Sequence, residues 1–592
     1  MLFGDMESGE HRQPNTGAQT DWRRWVIPAL LAVAAILPYL STIGFGFVYD
    51  DHLAIEENGH LRFWPGVSSV FLTDIWSLSS LGVRSNYYRP LFMLTYEVIF
   101  RLAGAAPWAF HLANLVFHAV VVALVYLLTL RLFKKESVAL IATLLFALHP
   151  AHVEPVAWVA ALSELGYTAC VLFGVFMYAR KPAAPWSTGL SLLSFGVGLL
   201  WKESAIAFAP IVVLYDVLVE REVRWRRWSL LCAVTAAYLG LRAFALGGLA
   251  PAVLYPDLTF ATQVLTALSH VGFYGAKLLA PIGLSAMYSP AFVSRIDPTI
   301  VCVLAVAFIA FWKLRGRVAW AAVWIVAGLS PVLLVSRVAV PLADRDLYLP
   351  SIGFLWLVAL AFDALGKRSA PAVVVVLAIY AGMLLARLPA WRDDVALFEQ
   401  AIAVNPEDDN ARLRLASELG RRGRIDEGAA VLDEILTRHP GHLEASVNKA
   451  SLKVSAADWP GVRSACASVF RVDPESARCL LNIGYADEQD GRLEEARGNF
   501  ARAYQRDSSL TDALLHQGIV EARRGNLDVA QHLMEEAVRR NPSAPSLNNL
   551  GSVYANRGDM QRAVQTFEMA VQADPSFDPA QSNLELARSL VR

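Results

Sequence analysis

Charge and cysteine are both scarce in this chain of 592 residues. Only 18% of the residues are charged, against roughly a quarter in an ordinary soluble domain. The 52 basic and 53 acidic residues leave a formal net charge of −1, which argues against a globally basic nucleic-acid-binding protein. Five cysteines are too few for a disulfide-dense scaffold. The chain also lacks a Walker phosphate loop, so ATP is not the expected energy source.

Hydrophobic residues, by contrast, make up 55% of the chain and are concentrated before residue 390. Apolar runs follow one another up to about residue 388, and the chain then becomes rich in Arg, Glu, Asp and Ala. This change of composition predicts two parts. We expect a cytoplasmic tail at 1–24, a multi-span membrane domain at 25–390 with a first outer loop at 45–110, and a soluble domain at 391–592.

Eleven apolar runs in the first part are candidate membrane spans. The first, at 25–44, has the roughly 20 residues that a span needs. No small-residue cleavage site follows it, which favours an uncleaved span over a signal peptide. Several of the others are shorter and must extend into their flanks; they lie at 111–132, 137–149, 163–179, 186–200, 204–220, 228–246, 298–313, 318–336, 350–366 and 371–388.

Two further segments, at 90–105 and 262–281, are apolar but carry charged or polar residues. We expect them to be amphipathic helices at the outer membrane interface. With Arg23 and Arg24 in the cytoplasm, this choice places every later basic cluster on the cytoplasmic side, as the positive-inside rule requires. The soluble C-terminal domain then lies outside the cytoplasm. No inverted repeat with broken helices is evident, which weakens a transporter interpretation.

A period of about 34 residues runs through the soluble part. Proline recurs at positions 406, 440, 474, 542 and 575, and glycine at positions 423, 491, 525 and 558. This spacing is typical of the tetratricopeptide repeat, whose helix pairs stack into a superhelix with a concave groove. We predict about five repeats between 407 and 576, with a half unit before them and a closing helix after. The groove is expected to bind a peptide or protein; a passive spacer is the alternative.

Two adjacent carboxylates follow the first predicted span. Asp50 and Asp51 repel each other just outside the bilayer, an arrangement that raises the pKa of one of them. The pair suits a general base or a divalent-metal ligand. A solvated turn is the simpler alternative.

Cations on the same predicted side are candidates for binding a lipid phosphate. Arg89 opens the interfacial segment 90–105, Lys202 lies in a short outer hairpin, and Arg345 precedes the tenth predicted span. Glu203 and Tyr348 stand close to them in sequence. An interfacial anchor and an ion pair that only tethers the hairpin are the alternatives.

Histidines and further acids complete the set on this side. His111 shares a helix face with Asn114 and His118, where hydrogen bonding between helices is the simpler alternative to a site. The motif at 149–154 and the residue before Arg345 offer additional groups that can orient an acceptor or hold a metal, namely His149, His152, Glu154 and Asp344. Acids that activate a nucleophile and cations that hold a phosphate thus share one side of a many-span bundle, which indicates transfer from a lipid-phosphate donor.

At this point the sequence resembles a known group, the type C glycosyltransferases (GT-C), and more closely the transmembrane and tetratricopeptide-repeat O-mannosyltransferases of the eukaryotic secretory pathway. The resemblance covers nearly the whole chain. It rests on the motifs Tyr49-Asp50-Asp51, Tyr88-Arg89-Pro90-Leu91, His111 with Asn114 and His118, His149-Pro150-x-His152-x-Glu154, Lys202-Glu203, Arg345-x-Leu347-Tyr348-Leu349-Pro350-Ser351, and Trp391.

The resemblance implies an all-α fold, a GT-C-type membrane bundle followed by a tetratricopeptide solenoid. It implies a polyprenyl-phosphate sugar, commonly mannose, as donor and a Ser or Thr of a secreted protein as acceptor. Asp50 or Asp51 matches the family's catalytic acidic residue, Glu154 its glutamate after His-Pro-x-His, and Arg345 its phosphate-binding arginine. Asp346 stands where an aromatic residue is usual, and the repeat array is short, as expected of a bacterial relative in the inner membrane with a periplasmic site.

We therefore predict an inverting glycosyltransferase in which Asp50 or Asp51 deprotonates the acceptor and Arg345, Lys202 and Arg89 hold the leaving phosphate. No cofactor is required beyond the lipid-linked donor, although a divalent metal at the histidines stays open. One alternative is a membrane-anchored repeat scaffold for envelope assembly. Another keeps the chemistry but transfers the sugar to a lipid or glycan.

Overall fold

The computed structural model describes residues 23–58, 61, 66–76, 85–180, 184–251, 258–288, 314–333 and 342–591. Every regular element in these ranges is a helix, so the predicted all-α fold is confirmed. The chain forms two compact units that divide between Asn405 and Pro406. The predicted span at 298–313 and residues 1–22 of the predicted tail lie outside the described residues.

The first unit is built from thirteen longer helices in its described part, joined by short 3-10 and π turns. They are α1 (Arg23–Ile36), α2 (Pro90–Ala103), α3 (Pro107–Phe133), α4 (Glu136–Leu148), α5 (Leu162–Tyr178), α6 (Pro185–Trp201), α7 (Phe208–Tyr215), α8 (Trp225–Leu246), α9 (Phe260–Leu279), α10 (Gly316–Leu333), α11 (Pro350–Ala364), α12 (Ala370–Arg387) and α13 (Asp394–Val404). α3 packs against α1, α4 and α5. α5 also packs against α6, and α11 packs against α4 and α10.

Six helical stretches in the described ranges are long and apolar enough to cross a membrane. They are Trp25–Gly44, Pro107–Phe133, Val159–Tyr178, Trp225–Leu246, Gly316–Leu333 and Gly366–Trp391. A seventh results if α4 and the turns Pro150–Ala157, which meet at a bend of 52°, form one span. The apolar helices predicted within the described ranges are thus present, but α6, α7 and α11 have 17, 8 and 15 residues, fewer than the roughly 20 that a span needs. The full number of eleven spans stays a prediction.

Three tryptophans fill the core where α10 meets α11. Trp320, Trp324 and Trp356 are fully buried, with ring centroids 5.0 to 5.5 Å apart. Each indole N–H donates a hydrogen bond, to Ile211 O, Leu349 O and Thr129 Oγ1 respectively, so the large rings are buried without an orphaned donor. A Cβ at Gly353 would lie 2.4 Å from the Ala321 carbonyl oxygen, and only glycine permits this close helix approach.

The second unit consists of five helix pairs and a closing helix. The pairs are α14 (Asp409–Arg421) with α15 (Ile425–Arg438), α16 (Leu443–Ser455) with α17 (Trp459–Phe470), α18 (Ala477–Gln489) with α19 (Leu493–Arg506), α20 (Thr511–Arg523) with α21 (Leu527–Arg540), and α22 (Ala544–Asn556) with α23 (Met560–Ala573); α24 (Asp578–Val591) follows. Each helix packs on the next along the chain. The predicted helical repeat is confirmed, and the described part of this unit contains five helix pairs.

Glycine at the crossing of a helix pair leaves room for an aromatic ring. A Cβ at Gly484 would lie 2.6 Å from the Phe500 ring, whereas one at Gly498, on the neighbouring helix, would meet no atom within 4 Å. We expect Gly484→Ala to lower the free energy of unfolding of this repeat by about 1–3 kcal/mol through overpacking. Gly498→Ala should raise it by about 0.5–1 kcal/mol, because alanine favours a helix interior.

Hydrogen exchange of the amides in residues 477–506 of the full-length protein measures both effects. Faster exchange in the Gly484 variant and slower exchange in the Gly498 variant are expected. Equal behaviour of the two variants would contradict the close packing at Gly484.

Candidate active site

A cavity in the first unit gathers ionisable side chains from segments far apart in sequence. It lies where α2 and α5 begin, where α6, α8 and α10 end, and beside the loops that follow the first span and precede α11. Four cationic and four acidic residues line it: Arg89, Lys202, Arg242, Arg345, Asp50, Glu164, Glu203 and Asp346. Trp76, Tyr87, Phe92 and Trp158 add aromatic surface to the walls.

The two adjacent aspartates are in different positions. Asp50 lines the cavity and is half-buried. Asp51 is fully buried; its carboxyl oxygens accept hydrogen bonds from the backbone N–H groups of Val48 at 3.1 Å and Ala160 at 2.7 Å. Burial raises the pKa of Asp51 well above its usual range. Asp51 therefore joins the first loop to the start of α5, while Asp50 is the member of the pair that faces the cavity.

The segment after α12 holds this loop in place. Asp394, the first residue of α13, accepts hydrogen bonds from Tyr49 N at 2.7 Å and pairs with His52 Nε2 at 2.7 Å. Tyr49 has a left-handed backbone, with φ of 56°, a conformation that is uncommon outside glycine. These two contacts of Asp394 hold Tyr49, the residue that precedes Asp50, in place. Asp394 was not among the predicted site residues, because nothing local links it to the loop.

The His52–Asp394 bond predicts a pH-dependent stability. The hydrogen bond to Asp394, with a smaller one to Glu56, raises the pKa of His52 to about 9. A raised folded pKa contributes stability that is fully present below the unfolded value, about 6.5, and is lost as the pH rises through about 9. The wild type should therefore exceed His52→Gln in stability by a margin that shrinks between about pH 7 and pH 10.

Thermal unfolding of both proteins in one detergent across this pH range measures the margin. Asp394→Asn serves as the reciprocal control, because it removes the larger of the two charges that hold the imidazolium and should reduce the same pH dependence. A margin that does not change with pH would contradict a charged His52.

Arg89 and Glu203 form an ion pair on the cavity wall. The guanidinium donates to both carboxylate oxygens, at 2.7 and 3.2 Å, and its carbon lies 4.6 Å from the Tyr87 ring centroid. Burial opposes ionisation of Glu203, but the Arg89 charge outweighs it and lowers the pKa of Glu203 to about 2. Two predicted site residues, Arg89 and Glu203, are thus brought together, and Glu203 acts as the carboxylate that orients Arg89.

Lys202 lies between two carboxylates. Its ammonium contacts Glu164 Oε1 directly and lies 3.9 Å from Asp346 Oδ1. All three side chains are less than a tenth exposed. Burying a charge is costly, and here the ammonium of Lys202 and its two neighbouring carboxylates offset that cost for one another.

Arg345 also lies on the cavity wall, with a carboxylate behind it. Glu154, which is fully buried, accepts from Arg345 Nη1 at 2.6 Å and from the Arg345 backbone N–H at 3.2 Å. The guanidinium carbon lies 5.0 Å from the Trp158 ring centroid. Glu154 takes one of the five N–H donors of this guanidinium and sets its direction; Glu154 itself does not line the cavity.

The remaining predicted site residues lie outside the cavity lining. His111 Nε2 contacts Gly46 O at 3.3 Å, and His152 contacts Phe146 O at 2.7 Å and Ser351 Oγ at 3.0 Å. Nδ1 of His149 accepts from Ala151 N at 3.3 Å. These contacts brace helices and turns, and the partner of His111 is a loop carbonyl.

Asp344 and Tyr348 are buried in the same way. Asp344 pairs with Arg387 Nη2 at 2.7 Å and accepts from the Tyr288 hydroxyl at 2.7 Å. The Tyr348 hydroxyl lies 2.7 Å from His118 Nδ1, and neither residue lines the cavity. The described residues hold no group of three or more His, Cys, Asp or Glu arranged to bind a metal ion.

Arg242 is a cavity residue that sequence reasoning missed. It lies near the end of α8, where its Nη2 donates to Asn86 O at 2.6 Å and its Nε to Leu249 O at 2.9 Å. Its buried Nη1 has no hydrogen-bond partner in the described structure, and among the described residues no carboxylate forms an ion pair with it. The available signal was an arginine inside the apolar run 228–246, because charge at membrane depth is costly and usually functional.

Comparisons with known proteins found a family model that matches the repeat part and relatives that match most of the chain. A family model for the tetratricopeptide repeat matches residues 391–442 and 515–576. The chain is 24% identical over 71% of its length to protein O-mannosyl-transferase F38B6.6 of Caenorhabditis elegans, and 25% identical over 82% of its length to protein O-mannosyl-transferase Tmtc3 of Drosophila melanogaster. It spans 64% and 65% of the length of these two relatives.

Among solved structures, the repeats are similar to YrrB, described as a TPR protein with an unusual peptide-binding site. The identity is 20%, the TM-score is 0.25, and the match covers 31% of this chain and 96% of that one. Both relatives are thus named protein O-mannosyl-transferases. The tetratricopeptide repeat is seen both in the helix pairs of the second unit and in the match to the family model.

Proposed function

We propose that this chain is an integral-membrane glycosyltransferase that moves mannose from a polyprenyl-phosphate donor to a Ser or Thr hydroxyl of extracytoplasmic proteins, with inversion. The observation that carries the proposal is the cavity itself. It combines one half-buried aspartate, Asp50, with four cations at the ends of apolar helices. The similarity to proteins named protein O-mannosyl-transferases supports the choice of reaction.

Asp50 is the proposed general base. In the reaction, the acceptor hydroxyl loses its proton to the Asp50 carboxylate and its oxygen bonds to the anomeric carbon of the sugar. The bond between that carbon and the donor phosphate oxygen breaks at the same time, and the lipid phosphate leaves with the electron pair. Attack opposite the leaving group inverts the anomeric configuration. Asp51 is excluded from this role in the proposal, since both of its oxygens accept backbone hydrogen bonds.

Cations stabilise the charge that develops on the leaving phosphate. Arg242 offers an unpartnered N–H group, and Arg345 offers the donors that Glu154 does not use. Arg89 and Lys202 add positive charge on the same wall. Because guanidinium groups match the geometry of phosphate, we assign Arg242 and Arg345 to direct contact with the phosphate. Glu154 and Glu203 are positioning residues, which act through the arginines that they hold.

The repeats have a separate role in the proposal, which is to present protein acceptors to the enzyme. A stacked array of five helix pairs offers a concave surface suited to an extended peptide. We propose that the cavity and the repeats lie on the periplasmic side of a bacterial inner membrane, an orientation that the distribution of basic clusters supports.

Transfer of labelled sugar tests the proposal. Membranes that contain the protein are supplied with polyprenyl-phosphate-mannose or polyprenyl-phosphate-glucose, and label is counted separately in the protein and lipid fractions. Label from the mannose donor in protein, lost on treatment that releases O-linked sugars, is the expected result. Label in lipid would overturn the protein acceptor, label from the glucose donor alone would overturn mannose, and no label from either donor would contradict the proposed reaction.

A further inference from the structure

A second cavity lies at the other end of the same helices. It is lined by Arg131 and Lys134 at the end of α3, Arg180 after α5, Arg317 at the start of α10, and Tyr215 at the end of α7. We call it the inner basic pocket. No acidic residue is part of its lining. It is therefore chemically unlike the first cavity, whose lining has equal numbers of acids and bases.

Two helices connect the two cavities. α5 begins at the first cavity and ends at the inner basic pocket, and α10 runs in the opposite sense, from Arg317 to Val332. Helices of 17 and 18 residues are about 26–27 Å long at roughly 1.5 Å per residue. The hydrocarbon layer of a bilayer is about 30 Å thick. In the proposed topology, the two cavities therefore lie at opposite membrane faces.

Among the described residues, no ion pair involves a cation of the pocket, unlike other cations at the same face. Lys135 pairs with Asp363 at 2.7 Å, and Arg224 with Asp216 at 3.0 Å. In the described part of the chain, none of the four pocket cations forms an ion pair with a carboxylate. Membrane orientation alone requires basic residues in the inner loops, but it does not require four of them, from three segments, to line one cavity with no carboxylate in its lining.

Aromatic contacts hold two of these cations in place. The Arg131 guanidinium carbon lies 3.4 Å from the Phe176 ring centroid, and its Nη1 donates to Phe176 O at 2.5 Å. The Arg180 guanidinium carbon lies 4.4 Å from the Trp186 ring centroid. Neither contact neutralises charge. The pocket is thus a preformed cationic site in which repulsion between like charges is relieved by an anion.

We propose that the inner basic pocket binds a phosphate group, carried either by the headgroup of an anionic phospholipid or by a free phosphate compound. Guanidinium and ammonium groups are the side chains that recognise phosphate. Basic pockets between membrane helices at the cytoplasmic face are suited to anionic lipid headgroups. The exposed cations Lys134, Arg180 and Arg317 supply the charge, and the half-buried Arg131 forms the floor. This site is separate from the proposed transfer reaction.

The test uses the purified full-length protein in a neutral detergent with three soluble probes: short-chain phosphatidylglycerol, short-chain phosphatidylcholine and inorganic phosphate. The pocket variant is Lys134→Gln/Arg180→Gln/Arg317→Gln. The matched control, Arg226→Gln/Lys367→Gln/Arg368→Gln, removes three exposed cations from the same end of the bundle. Arg131 is left intact in both because it braces α3 against α5, and unchanged melting temperatures verify that both variants fold.

We expect the wild type to bind phosphatidylglycerol at least tenfold more tightly than phosphatidylcholine. The pocket variant should lose at least tenfold in affinity, since each basic residue near a phosphate contributes substantially, while the control should change less than threefold. If inorganic phosphate binds as tightly as the lipid does, the ligand is a free anion, and that result would also support the phosphate site. Equal losses in the two variants, or no loss in either, would overturn the proposal. Neither result depends on sugar transfer, so the site and the proposed reaction can fail separately.

Discussion

Asp50→Asn is expected to lower the rate of sugar transfer by about 10²- to 10⁴-fold, the usual contribution of a general base. The substitution keeps the size of the side chain and removes its ability to accept a proton. Because Asp50 is half-buried at the cavity wall and its neighbour Asp51 holds the loop, the fold should be retained. The transfer assay with polyprenyl-phosphate-mannose measures the rate, and the melting temperature verifies the fold.

Two neighbouring substitutions serve as controls. Glu57→Gln makes the same chemical change at an exposed position of the same loop and should leave the rate within about twofold of the wild type. Asp51→Asn should lower stability by about 1–3 kcal/mol, because its amide group faces a backbone donor that now lacks an acceptor. Full activity in a folded Asp50→Asn variant would remove Asp50 from the mechanism.

Lys202→Met is expected to cause the largest loss of stability, about 3–5 kcal/mol. The substitution leaves two buried carboxylates, Glu164 and Asp346, without the cation that compensates them, and breaking a buried ion pair from one side carries a cost of this size. The denaturant midpoint of the purified protein, measured in fixed detergent micelles, reports the change.

The double variant Lys202→Met/Glu164→Gln separates structure from chemistry. Removing the carboxylate in contact with Lys202 should restore at least half of the lost stability, whereas transfer should stay impaired because a cation of the cavity is absent. Lys135→Met is the matched control; its partner is Asp363 and its side chain is 59% exposed, so a change of about 0–1 kcal/mol is expected. Equal losses in the Lys202 and Lys135 variants would contradict a buried charge cluster.

Much of the fold could be predicted because its signals are periodic and local. A 34-residue period of proline and glycine predicts stacked helix pairs, and five pairs with a closing helix are observed. Apolar runs predict membrane helices, although polar breaks such as that at Lys202 and Glu203 make several of them shorter than a span. A run of apolar residues indicates that a segment is buried, but it does not indicate the residue at which the helix ends.

The site was predicted less completely, and the reason lies in the distance between its parts. Asp50, Arg89, Lys202 and Arg345 were singled out from the sequence and do line one cavity. Asp51 shares a motif with Asp50, and Tyr348 shares one with Arg345, but neither lines the cavity; Glu154, from a third motif, contacts Arg345 from outside the lining. Residues one or two apart in a turn point in different directions, so membership of a motif does not establish which side chain reaches a ligand.

The sequence by itself determined the division into a membrane part and a repeat part, the helical class, and the gathering of polar residues near the ends of apolar helices. These features depend on composition and on spacing within a few turns. Only the tertiary structure decided that Asp50 rather than Asp51 faces the cavity, that Asp394 holds the loop, and that Arg242 completes the wall. Asp51 bonds to the backbone 109 residues away and Tyr49 to a carboxylate 345 residues away. Contacts of this kind depend on how helices pack, and packing leaves no periodic signal in the chain.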